Sequence, residues 1–190
     1  PVPKEKLEAI WATAVSSAEA GFKEIQFDYI RFEDSAALKH MGFEQRYAFV
    51  ESLISTARER LARYNVKISA DVFGRIPLNK NDIIGQRMES LDKVTDIICP
   101  MAYPSHYTWS QKMMKDPYYT VHVTSTKAKE RVKNAQIVPW IQAFNMKVKM
   151  SGLTFEQYQA QQIKAVHDAG VKGYIFWNAR QDYATTFRVM

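Results

Sequence analysis

The feature that most constrains this chain is a strict alternation of helix-spaced and strand-like segments, five of each. Residues 4–20 place Leu7, Ile10, Trp11, Ala14, Val15 and Ala18 on one helical stripe, and Gly21 follows where a helix-terminating glycine belongs. The β-branched and aromatic run Glu24–Phe32 reads as a strand. Residues 43–63 return to helical spacing through Phe43, Tyr47, Val50, Leu53, Ala57 and Leu61, and Val66–Phe73 is a second strand. Asp82 is placed to cap a short helix through Leu91, ahead of a third strand at Thr95–Tyr103. A helix around residues 120–134 precedes a fourth strand at Ile137–Phe144. Thr154 and Gln157 form a capping box for a helix ending at Gly170, and Gly173–Asn178 is the fifth strand.

No hairpin dipeptide joins any two strands, and every connection is long enough to cross over. That order dictates parallel strands with helices packed outside. The strands are near-continuously apolar, as burial on both faces requires. No glycine-rich phosphate loop follows a strand, so a nucleotide-binding doubly wound sheet lacks its best signature. Polar and aromatic residues gather instead at the C-terminal ends of the strands: Asp28 and Arg31, Asp71, Tyr103 with His106 and Tyr107, Trp140 with Gln142, and Trp177 with Asn178. A (β/α)₈ barrel of the TIM type keeps its active site there. The fold class expected is therefore α/β, an incomplete TIM-type barrel of about five β/α units in a single partial domain spanning residues 1–190.

Composition narrows the function classes. No apolar run approaches the ~20 residues of a membrane span. A single cysteine, Cys99, excludes an internal disulfide, and no His/Asp/Glu spacing reads as a metal site, so neither metal nor cofactor is expected. The net charge of +6 is concentrated. Residues 111–149 carry Lys112, Lys115, Lys127, Lys129, Arg131, Lys133, Lys147 and Lys149 against only Asp116 and Glu130. That segment is either a solvated helix face with its flanking loops or a patch for an anionic polymer.

Two carboxylates lie within apolar strands, Asp28 between Phe27 and Tyr29 and Asp71 between Ala70 and Val72. Burial of an unpaired carboxylate costs several kcal/mol, so each needs a partner or a cleft. Adjacent strands lie ~4.8 Å apart. Strand-end carboxyls can thus approach the ~5–5.5 Å of a retaining glycosidase or the wider spacing of an inverting one. The alternative for each is a buried Asp bonded to Arg31 or to backbone amides. Alternation puts Arg31 on the face opposite Asp28 unless the strand has already ended, leaving Arg31 as either a carboxylate clamp or a surface charge. His106 follows a strand on a proline-shaped loop, placed to bond substrate or shuttle a proton. Ser105 and His106, being adjacent, are not expected to form a nucleophilic pair. His40, His122 and His167 sit in unremarkable helical or loop surroundings. Tyr29, Tyr103, Tyr107, Trp140 and Trp177 offer flat faces beside polar groups, as pyranose rings require, or else they are core packing.

The segments FKEIQFDYIRF (22–32), KISADVFG (67–74), ICPMAYPSHY (98–107), IVPWIQAF (137–144) and GYIFWNARQDY (173–183), in that order, resemble the bacterial DUF4015 family of TIM-barrel glycoside hydrolases. The resemblance spans residues 1–183. It implies that Asp28 ends the fourth barrel strand and Asp71 the fifth, positions that host the nucleophile and the acid/base in related retaining clans. It further implies sugar contacts from His106, Tyr107, Trp140 and Trp177, a poly- or oligosaccharide substrate and an extracellular or cell-envelope location. Nucleic acid is not an expected partner. Family members usually continue FDYIRF with proline; Glu33 stands here and becomes an additional catalytic candidate. The family's first three strands have no counterpart, so the open sheet is expected to be completed by a missing N-terminal barrel segment or by self-association. A carbohydrate-binding or degenerate barrel that does not cleave is the alternative function.

Overall fold

The structure is a computed structural model that describes residues 2–34 and 41–190. His40 lies outside the described residues. The elements run in the expected alternation. Helix α1 (Lys4–Glu19) leads to strand β1 (Glu24–Phe27), and α2 (Phe43–Leu61) leads to β2 (Lys67–Phe73). The short α3 (Met88–Leu91) precedes β3 (Ile97–Met101). Two helices, α4 (Gln111–Lys115) and α5 (Pro117–Glu130), precede β4 (Gln136–Ile137) and β5 (Trp140–Gln142). Helix α6 (Phe155–Ala169), β6 (Ile175–Trp177) and α7 (Ala184–Val189) complete the chain.

All pairings are parallel, in the order β1-β2-β3-β5-β6, with β4 also on β3. The sheet curls into half of a barrel. Its fourth strand is broken into β4 and β5 because Pro139, between them, has no N–H for the ladder. The chain stays in place because the Pro139 carbonyl still accepts from the Ile175 amide at 3.0 Å. On β2, Ile68, Ala70 and Val72 face the helices and join the main core with Val50, Ile54 and Ala57 of α2. Ser69, Asp71 and Phe73 alternate onto the inner face of the curl.

Two sequence expectations are corrected. The first strand stops at Phe27, because Tyr29 adopts a left-handed φ of 55° that extended structure cannot accommodate. The helix expected from Asp82 shrinks to Met88–Leu91: Gly85, at φ 79°, interrupts it, and Asp82 instead accepts from the Ile84 amide in a local turn. Gly74, just past β2, is required by close packing. A Cβ there would sit 2.2 Å from the Tyr107 hydroxyl and 2.4 Å from the Met101 carbonyl.

Candidate active site

Seven of the predicted residues meet in one cavity of about 200 Å³ at the C-terminal end of the sheet: Asp28, Tyr29, Arg31, Asp71, Tyr103, Trp140 and Trp177. Phe73, Gln86 and Met101 complete its lining. The early end of β1 makes this possible. Asp28 is the first residue beyond the strand and is exposed rather than buried. The kink at Tyr29 brings Arg31 to the same side, which strict alternation would have prevented. Arg31 does not clamp Asp28, since no ion pair joins them. Its guanidinium instead lies over the rings of Phe73 and Tyr29, at 4.8 and 5.3 Å from their centroids.

Asp71 is 6% exposed, and three strands converge on it. Its Oδ1 accepts from Gln26 Nε2 of β1 and from Trp140 Nε1 of β5, both at 2.7 Å. Oδ2 has no hydrogen-bond partner among the described residues. Burial pushes the Asp71 carboxyl up to about 6; the two N–H donors oppose that shift, and the nearby Asp28 carboxylate adds to it. Asp28 has one oxygen engaged, Oδ1 accepting from the Tyr29 amide at 2.7 Å. Gln86 fixes the β2 backbone beneath the site, donating to the Asp71 carbonyl and accepting from the Phe73 amide, both at 3.0 Å.

The aromatic members differ in what they offer. Trp177 is 44% exposed and stands edge-on to Trp140, with ring centroids 5.8 Å apart. Tyr29 is 77% exposed. Tyr103 is buried, and burial together with Asp71 and Asp28 holds its hydroxyl in the protonated form.

Other predicted residues lie off this cavity. His106 sits where two neighbouring cavities of about 290 and 710 Å³ meet, both also lined by Tyr103. Burial and the Lys147 ammonium hold its imidazole below the usual range. Ser105 Oγ meets His106 Nδ1 at 2.9 Å, but Ser105 is buried and the contact orients the ring rather than making a nucleophilic pair. Tyr107 is fully buried, its hydroxyl bonded to Thr124 Oγ1 at 2.8 Å. Gln142 is likewise buried and supports loops, donating to the carbonyls of Phe144 and Met146 and accepting from the Ser105 amide. Asn178 lines the larger neighbouring cavity and donates to the Ala143 and Asp182 carbonyls, both at 2.7 Å. Glu33 is exposed and lines none of these cavities.

Gln26, Gln86 and Phe73 were missed in the sequence. Gln26 carried a signal, because a polar residue on the same strand face two places before Asp28 needs a partner too. Much of the basic segment serves the fold. Arg131 holds Glu89 and three carbonyls, Lys127 pairs with Glu130, and Lys129 and Lys147 donate to the carbonyls of Gly170 and Ser105.

The sequence profile of DUF4015, described as "Putative glycosyl hydrolase domain", matches residues 5–183. The chain belongs to that family. This DUF4015 domain is similar in structure to the glycoside hydrolase domain of PgaB (BpsB) from Bordetella bronchiseptica, with a TM-score of 0.70 at 12% identity. That match covers 99% of this chain and 62% of the other. A chitinase from Chromobacterium violaceum gives 0.66 at 14% identity, covering 98% of this chain and 71% of that one. The spore cortex-lytic enzyme SleL of Bacillus megaterium gives 0.64 at 11%, covering 98% and 53%. At such identities the likeness establishes the shared TIM-barrel fold, of which the DUF4015 domain spans only part. No curated protein matches the sequence. Among the described residues, no helix is long and apolar enough to cross a membrane, and no cluster of three or more metal-ligating side chains occurs.

Proposed function

We propose that this domain hydrolyses glycosidic bonds of a polysaccharide, with Asp71 as the acid/base and Asp28 as the nucleophile. One observation carries the reading: Asp71 has one oxygen held by two N–H donors and the other unspent, in a cavity that Asp28 shares. With Oδ1 occupied as an acceptor, the proton resides on Oδ2. A carboxyl whose pKa is about 6 keeps that proton at mildly acidic pH yet releases it readily, as a general acid must.

Asp71 would protonate the glycosidic oxygen as the bond to the anomeric carbon breaks. The free oxygen of Asp28 would attack that carbon, giving a covalent glycosyl ester. Asp71, now a carboxylate, would take a proton from water as the water displaces Asp28, which restores both groups. The exposed rings of Trp177 and Tyr29 suit the C–H faces of the sugars on either side.

Release of reducing ends from a panel of polysaccharides tests this reading. Asp71→Asn is expected to lower the rate about 10²–10⁴-fold, and Asp28→Asn to be comparably damaging. The wild-type rate should fall as pH rises above about 6, where Asp71 loses its proton. Turnover unaffected by either substitution contradicts the mechanism. Glycan binding without turnover would identify a non-catalytic carbohydrate-binding barrel instead.

A further inference from the structure

The charge of Arg31 is unmatched in a molecule that matches most of its arginines. Arg58, Arg60, Arg63, Arg75, Arg87, Arg131 and Arg188 each hold a carboxylate within 4.0 Å. Arg31, on the wall of the Asp71 cavity, holds none among the described residues. Among the described residues its only hydrogen bond runs from Nη1 to the neighbouring Phe32 carbonyl, at 3.1 Å. Nε is buried without a partner, and among the described residues Nη2 makes no hydrogen bond. The unspent atoms are therefore Nε and Nη2, the two parallel donors with which a guanidinium grips a carboxylate. The Phe73 ring of β2 and the exposed Tyr29 ring both pack against the guanidinium. Arg31 and the exposed Tyr29 line the same cavity as Asp71 and Asp28.

We infer that Arg31 is the specificity-determining residue of the cleft, and that it selects a sugar bearing a carboxylate, a uronic-acid unit, next to the bond to be cleaved. This rests on the glycosidase reading only for the position of that unit; the recognition itself is a binding property. A donor edge left without a partner in a partly desolvated site is costly until an anion occupies it, so the penalty falls on neutral sugars.

The test uses the full chain and calorimetric binding of hexasaccharides of galacturonan, glucuronan and hyaluronan, each compared with its carboxyl-reduced form. At least one acidic hexasaccharide is expected to bind about ten- to a hundredfold more tightly than its reduced counterpart. Arg31→Gln should abolish that ratio while leaving the weaker binding of the reduced form in place, and Arg31→Lys should restore part of it. A purely structural role for Arg31 would lower both affinities together and keep the ratio. The inference is overturned if acidic and reduced forms bind alike, if none binds, or if the ratio survives Arg31→Gln in a folded protein. Hydrolysis confined to neutral glycans would overturn it and leave the glycosidase reading standing. Acidic binding without hydrolysis would do the reverse.

Discussion

At the scale of single residues, Asp71 is a site held at the expense of stability. Its folded-state pKa of about 6 lies above the 3.8 of an ordinary aspartate, so the folded protein binds the proton more tightly than the unfolded chain does. The stabilising contribution is complete below about pH 4 and is lost as pH rises through 6. Asp71→Asn keeps an acceptor for Gln26 and Trp140 and removes the buried charge. Denaturant unfolding should show the variant more stable than wild type by about 1–3 kcal/mol at pH 8, the advantage shrinking toward pH 4. A variant less stable at pH 8 would show that the carboxylate is satisfied by contacts the free Oδ2 does not reveal. Asp71 was legible in the sequence as a charge inside an apolar strand, and its surroundings gave the reason to suspect it. Arg31 was ambiguous, because its side of the sheet depended on where β1 stops, and that is decided by one left-handed residue, Tyr29, whose type does not announce such a conformation.

At the scale of elements, long periodic segments were readable and irregular ones were not. Helices α1, α2 and α6 and strand β2 stand within about two residues of their expected bounds, because each combines a clear period with a cap, a glycine or a dense β-branched run. The capping box of Thr154 and Gln157 forms as expected. The break at Pro139, the turn at Gly85 and the short helices α4 and α7 escaped because each is too brief to show a period, and a single residue or a tertiary partner decides it. Asp92 illustrates this. Burial would raise its carboxyl, but the amides of Ala135, Lys133 and Asn134 outweigh that effect and hold it low, tying the end of α3 to the approach of β4. Arg131, capping the C-terminal end of α5, does the same, reaching the carbonyls of Ile76, Pro77 and Asn79 as well as Glu89. Arg131→Ala should therefore cost about 2 kcal/mol in thermal or denaturant unfolding. A neutral effect on stability would return Arg131 to the basic surface that composition first suggested.

At the scale of the whole molecule, the outer strands β1 and β6 each pair on one side only among the described residues. Exposed Phe22 lies just before β1, and Phe187 and Met190 lie in or just after α7. Unpaired strand edges beside apolar side chains are templates for further pairing. The chain by itself should associate, with a mass by light scattering that grows with concentration. A monodisperse monomer at high concentration would show that the half-barrel closes its own edges. The cavity needs β1, β2 and β5 in register at once, because Gln26, Asp71 and Trp140 come one from each. The most direct measurement is accordingly an NMR titration of the Asp71 carboxyl carbon in the intact chain. A midpoint near pH 6 is expected, and a midpoint below 4 would overturn the assignment of Asp71 as the acid/base.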